Sequence, residues 1–145
     1  MREGNQQLIA ACLAFRQAQK RFTESQVKIY AKAVALKIRY GLPKSFDAFK
    51  PHGTSQDPAV DAFYDELMAF EENDGHHKVW EQYKAARTGL LAVMRQDALA
   101  DATDEDHAEM LERMFSPELS EGVLVSKLIE VTCNDLLQEV HCGKG

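Results

Sequence analysis

The stretch that decides the fold is ESQVKIYAKAVALKIRY, residues 24–40. Apolar residues recur in it at helical spacing and form two stripes on opposite sides of one helix. A helix that is apolar nearly all round is normally buried among other helices. The sequence therefore predicts an all-α protein in which this helix is central. One stripe consists of Val27, Tyr30, Ala31, Val34 and Ile38, and the opposite stripe of Ile29, Ala33, Leu36 and Tyr40.

The pattern on either side of this stretch is also helical. We predict a compact single-domain bundle of about six helices whose neighbours are mostly antiparallel, because 145 residues is the length of one domain. The connections are short except for one loop, residues 41–57, in which Phe46 and Phe49 are the predicted anchors. This loop separates a basic pair of helices, residues 5–40, from an acidic helical remainder, residues 58–142.

A capping box indicates a tight corner between the first two helices. Thr23 and Gln26 have its three-residue spacing, at which each side chain satisfies a backbone N–H group of the other residue. Phe22 and Val27 occupy the positions of a hydrophobic staple around it. The sequence therefore predicts that one helix ends near Arg21 and that a second begins after Thr23.

Other helix ends are marked by glycine, proline or a short polar side chain. Gly41 is a typical left-handed C-cap, and Asp57-Pro58 combines an N-cap with proline at the first helical position. We therefore predict that the second helix ends at residue 40 and that the third begins at Pro58. Further boundaries are predicted at Gly75, Thr103 and Ser116-Pro117.

The net charge of −6 conceals a division along the chain. Residues 1–50 contain ten Lys or Arg and three Asp or Glu, a net charge of +7. Residues 51–145 contain seven Lys or Arg and twenty Asp or Glu, a net charge of −13. Such asymmetry favours an electrostatic partner, but the basic and acidic segments could equally pair with each other.

A basic edge lies between the two apolar stripes of the central helix. Apolar surface beside positive charge suits a protein partner or a phosphate backbone. The predicted partner-binding residues of this edge are Lys20, Arg21, Lys28, Lys32, Arg39 and Lys44. The predicted docking or homodimer stripe is Ile29, Leu36 and Tyr40.

The third helix carries an acidic face that is unfavourable in isolation. Asp61 and Asp65 are like charges four residues apart. Glu71, Glu72 and Asp74 crowd the C-terminus, where the helix dipole favours cations. We predict that the second helix lies antiparallel to this one and that Lys28, Lys32 or Arg39 pairs with these acids. Alternatively, the acidic face meets a basic partner or mimics the charge of a nucleic acid.

Catalytic motifs are not found in the sequence. It lacks a glycine-rich phosphate loop, a Gly-x-Ser-x-Gly nucleophile turn and zinc-type cysteine spacing. His76, His77 and His107 are the candidate metal or acid–base residues, but adjacent helical residues point about 100° apart and do not readily share one ion. We therefore predict no enzyme activity, no metal and no cofactor. Trp80, at the margin of an apolar face, is a candidate hot spot for a partner.

These features favour a non-enzymatic binding protein. It would act on a protein or nucleoprotein as an inhibitor, adaptor or regulator, of the kind that phages and other mobile elements encode. One alternative is a nucleic-acid-binding regulator that uses the basic N-terminal helices, although the −13 of residues 51–145 would repel a phosphate backbone. The other is a helical metalloprotein or enzyme that uses the three histidines with carboxylates.

The composition also indicates where the protein works. No apolar run approaches the roughly 18 residues of a membrane span, and the first residues do not have the pattern of a signal peptide. The three cysteines, Cys12, Cys133 and Cys142, cannot all pair within one chain, which favours a reduced, cytosolic protein. Cys12 and Cys133 fall on core faces as small apolar residues. We therefore predict a cytoplasmic protein with no membrane partner.

Overall fold

The computed structural model describes residues 3–49, 57–116 and 122–142. Within these ranges the chain forms helices and turns and no strand, which confirms the predicted all-α class. The described helices are α1 (Glu3–Arg39), α2 (Pro58–Asp74), α3 (His76–Ala100), α4 (Glu105–Met114) and α5 (Val123–Cys142). The described ranges thus contain five helices where about six were predicted.

The predicted corner within the first 40 residues is wrong, because α1 is one helix of 37 residues. A capping box stabilises only a free helix start, and the backbone N–H groups after Thr23 bond instead to the preceding turn. Neither Gly nor Pro lies between Asn5 and Tyr40, and Thr or Ser costs only a few tenths of a kcal/mol inside a helix. The apolar residues also continue at spacings of three, four or seven along one face: Leu8, Cys12, Phe15, Phe22, Ile29, Ala33, Leu36 and Tyr40.

The ends of α2 and the turn after α1 follow the sequence signals. Gly41 adopts a φ of +65° after α1 and so supplies the predicted left-handed cap. Gly75, where a helix boundary was predicted, adopts a φ of +71° after α2 and is also a left-handed cap. The Asp57 carboxylate accepts a hydrogen bond of 2.9 Å from the Ala59 backbone N–H, and Pro58 is the first helical residue. These three boundaries are confirmed.

One later boundary differs from the predictions, and another lies outside the described residues. The N-cap of α4 is Asp104, whose carboxylate accepts a 2.8 Å hydrogen bond from the His107 backbone, and not Thr103. An aspartate caps at least as well as a threonine and adds charge that the helix dipole favours. The described part of the last helix begins at Val123, and the predicted start at Pro117 lies outside the described residues.

The chain divides into two compact units. Unit 1 combines Met1–Ala18 with Tyr83–Gly145, and unit 2 is Gln19–Gln82. Each unit has its own hydrophobic core. The single-domain organisation stays a prediction.

The core of unit 1 joins α1, α3, α4 and α5. Cys12 of α1 and Cys133 of α5 are fully buried, which confirms their prediction as core residues. Burial is the larger cause, and a hydrogen bond with Cys133 the next, of a rise in the pKa of the Cys12 thiol to about 12. This thiol therefore stays protonated at neutral pH. The buried side chains of the unit are Leu8, Cys12, Phe15, Leu90, Met94, Leu111, Val125, Ile129 and Cys133.

The core of unit 2 lies between α1 and α2. Ile29, Ala33 and Leu36 of α1 pack with Phe63 and Leu67 of α2. The loop after α1 adds Phe46, whose ring meets Phe63 edge-on at a centroid distance of 5.4 Å, so this predicted anchor is confirmed.

Candidate functional site

One whole side of α1 in unit 2 remains exposed although it is apolar. Val27, Tyr30, Val34 and Ile38 form this exposed stripe, and their exposed fractions run from 41% at Val34 to 77% at Ile38. Their positions, i, i+3, i+7 and i+11, place them on one helix face. That face is opposite the one that packs on α2.

The stripe predicted to dock a partner is covered within unit 2. Ile29 is 4% exposed and Leu36 only 1%, because α2 covers them. Tyr40 is half-buried, and its hydroxyl group donates a hydrogen bond to the Glu66 carboxylate. The two stripes have similar apolar content, so the sequence of α1 alone could not tell which one α2 takes. Helix α2 of the same chain therefore covers this stripe. A homodimer could use the stripe only if the core of unit 2 opened.

The basic edge pairs in part with α2, through Asp74, which was among the predicted acids, and through Glu66, which was not. The Lys28 ammonium lies 3.7 Å from the Asp74 carboxylate, and the Arg39 guanidinium 3.0 Å from Glu66. The residue order of these pairs shows that α1 and α2 run antiparallel, which confirms that prediction. The Lys28 and Arg39 side chains nevertheless remain 64% exposed.

The other residues of the basic edge make different contacts. The Lys32 ammonium lies over the Phe70 ring, 5.7 Å from its centroid. Lys20, Arg21 and Lys44 are exposed. The role of these cations in binding a partner stays a prediction.

The residues of the predicted acidic face differ in their exposure to solvent. Asp61, Asp65 and Glu72 are exposed, whereas Glu71 and Asp74 are half-buried near the end of α2. This half-buried pair therefore belongs to the region where α2 turns into α3.

A buried hydroxyl group at that turn escaped the sequence analysis. Ser25 of α1 is 5% exposed, and its hydroxyl donates a 2.8 Å hydrogen bond to the Asp74 carboxylate. Its oxygen lies 2.9 Å from Nδ1 of His76. Because the Ser25 hydroxyl donates to Asp74, Nδ1–H of His76 is the donor in the hydrogen bond to the Ser25 oxygen. In the neutral ring, Nε2 is then an acceptor. The position of Ser25 between Phe22 and Ile29 on one continuous helix face would have revealed it.

The other candidate histidines are separate from this network. His77 is exposed, and its Nε2 lies 3.9 Å from the Glu81 carboxylate. His107 belongs to unit 1, where its Nδ1 accepts a hydrogen bond from the Thr103 backbone. In the described part of the chain, no three His, Cys, Asp or Glu side chains are placed to hold a metal ion.

Trp80, the candidate hot spot, is 37% exposed near the start of α3. Its ring lies 5.0 Å from the ring of Phe22, which also stacks on His76 at 5.7 Å. Trp80 is therefore partly engaged in packing within unit 2, and its binding role stays a prediction.

A cavity of about 340 Å³ opens on the same side of α1 as Tyr30. Phe49, predicted as a loop anchor, is 59% exposed and instead forms part of the cavity wall. Its ring and that of Tyr30 are within 14° of parallel, with centroids 6.4 Å apart. The described residues that line the cavity are Gln26, Ile29, Tyr30, Phe49, Glu71 and His76.

Comparison with known proteins gives no relative on which to base a function. No protein-family model, curated protein or solved structure matches the chain. Among the helices of the described residues, none is both long and apolar enough to cross a membrane.

Proposed function

We propose that the chain is a non-enzymatic binding protein that holds an acidic amphipathic helix of a protein partner against the exposed stripe of α1. The single observation that carries this proposal is the stripe itself, in which Val27, Tyr30, Val34 and Ile38 are exposed on one face. An inhibitor, an adaptor and a regulator would all use such a surface.

The spacing of the stripe supports a helical partner. Recognition between a helix and an apolar surface uses anchors at i, i+3 or i+4 and i+7, and the stripe has this periodicity over three turns. Single exposed apolar residues are ordinary on a protein surface, whereas a row that continues into the exposed ring of Phe49 is not.

The charge beside the stripe supports an acidic partner. Lys28 and Arg39 lie along one margin of the stripe and remain 64% exposed, although each already faces a carboxylate. Glutamates on a partner helix would add favourable pairs there and would speed association. A second copy of α1 would instead bring two basic margins together, and like charges at an interface are costly.

A photo-crosslinking experiment tests this proposal. Benzoylphenylalanine placed at Val34 is irradiated in lysate of the natural host, and the crosslinked peptides are identified by mass spectrometry. The matched control places it at Met68, which is 62% exposed on α2 and lies off the stripe. We expect the Val34 probe, and not the Met68 probe, to label an acidic helical segment of another protein. Substitution Ile38→Asp should abolish that labelling, while circular dichroism shows the helical content unchanged.

The other outcomes would overturn the proposal in different ways. Crosslinks that join Val34 to a second copy of this chain, seen as a species of twice the chain's mass, would show a homodimer. Labelling that disappears after nuclease treatment would favour the nucleic-acid alternative. Labelling of lipid would show that the stripe binds an anionic membrane surface instead. Equal labelling from Val34 and Met68 would show that the stripe has no special role.

A further inference from the structure

We propose that the cavity beside Tyr30 is a binding site for a small organic cation of the quaternary or methylated ammonium class. This inference goes beyond the proposed function, because it concerns a small ligand and a different set of side chains. Three observations carry it: the paired aromatic rings, the half-buried carboxylate, and the lack of positive side chains among the described lining residues.

The aromatic rings form the apolar wall of the site. Tyr30 and Phe49 lie nearly parallel, at 14°, and both rings border the cavity. The face of an aromatic ring carries negative electrostatic potential, so a cation within about 6 Å of the ring centroid is attracted to it. Ile29 adds apolar surface against which methyl groups of the ligand would pack.

The polar side of the cavity has the charge that such a ligand needs. Glu71 lines it and is half-buried, so its carboxylate is less screened than one in open water. None of the described lining residues is Lys or Arg.

The Ser25 network keeps His76 compatible with a cationic ligand. The Ser25 hydroxyl donates its hydrogen bond to Asp74, so the Ser25 oxygen accepts a hydrogen bond from Nδ1–H of His76. The second ring nitrogen, Nε2, is then an acceptor in the neutral imidazole. An anionic ligand would face the Glu71 carboxylate and would be repelled. The volume of about 340 Å³ lies in the usual range for small-molecule pockets.

Isothermal titration calorimetry with two matched probes tests the site. Choline carries the ammonium group, and 3,3-dimethylbutan-1-ol is its neutral carbon isostere of the same shape. We expect choline to bind at least about tenfold more tightly than the isostere, because only choline gains the cation–π and carboxylate interactions. Equal affinity for the two probes, or no heat with choline up to about 50 mM, would overturn the proposal.

Three variants connect the binding to the cavity. Glu71→Gln and Phe49→Leu should each weaken choline binding by about 2- to 30-fold, the range of a single cation–π or charged contact. Glu72→Gln makes the same charge change one residue away, at an exposed side chain that is not among the described cavity residues, and should leave the affinity unchanged. Equal losses in the Glu71 and Glu72 variants would assign the effect to net charge and overturn the site. None of these variants changes the Val34 and Ile38 positions of the crosslinking experiment, so the two proposals can fail separately.

Discussion

Ser25 shows how one side chain can hold a turn in place. It is the buried polar residue of the described chain, and its hydroxyl connects α1 to Asp74 at the end of α2 and to His76 at the start of α3. A buried hydroxyl is tolerated only when it is hydrogen-bonded, and both of its partners flank the left-handed Gly75. The network therefore fixes the direction in which the chain leaves α2.

Substitution Ser25→Ala should lower the free energy of unfolding by about 1–3 kcal/mol, because it leaves Nδ1–H of His76 without its acceptor and removes the hydrogen bond that Ser25 donates to Asp74. Urea denaturation followed by circular dichroism measures the change. Ser45→Ala, at an exposed loop position, is the matched control and should change stability by less than about 0.5 kcal/mol. Equal effects at the two serines would contradict the role given to Ser25.

At the scale of elements, α1 is the helix from which both units are built. Its N-terminal half enters the core of unit 1, and its C-terminal half the core of unit 2. The local capping signal at Thr23 and Gln26 competes with a continuous apolar face, and the continuous face prevails. A cap is worth about 1 kcal/mol, whereas interrupting the helix would give up several backbone hydrogen bonds and the register of the core residues.

The substitution Thr23→Ala distinguishes a helix interior from a helix start. Inside α1, where Thr23 is exposed, alanine should raise the free energy of unfolding by up to about 0.7 kcal/mol, because alanine has the higher helix propensity. At a true N-cap the same substitution would lower it by about 1 kcal/mol. Thermal and urea denaturation give the sign, and a loss of stability would contradict the unbroken helix.

At the scale of the whole molecule, three titratable groups, one in unit 1 and two in unit 2, should each lower the free energy of unfolding as the pH becomes alkaline. Burial and a hydrogen bond with Cys133 raise the pKa of Cys12 to about 12 in unit 1. In unit 2, a hydrogen bond to Glu66 raises the pKa of Tyr40, and burial raises the pKa of Tyr64. Each group therefore holds its proton more tightly in the folded state than in the unfolded state.

The free energy of unfolding should be constant up to about pH 8 and should fall as the pH rises from about 9 towards 12. The sign follows because the unfolded chain releases these protons at lower pH, so alkali stabilises the unfolded state first. Urea denaturation at a series of pH values measures the slope. Cys12→Ala and Tyr40→Phe should each make the slope shallower, whatever they do to stability at neutral pH. An unchanged slope in both variants would contradict the assignment.

The sequence by itself determined the helical class and the helix boundaries at Gly41, Asp57 and Gly75, and it offered the antiparallel pairing of the basic edge with α2 as one of two alternatives. These features depend on periodicity, on backbone preferences of single residues and on charge, all of which act locally or between neighbouring helices. Only the tertiary structure decided which apolar stripe of α1 is covered, because Ile29 and Val34 belong to equally apolar faces and the choice depends on where α2 packs. It alone brought Tyr30, Phe49, Glu71 and His76 to one cavity and placed Ser25 beside His76, since contacts between residues that are distant along the chain arise from packing and have no signal in the local sequence pattern.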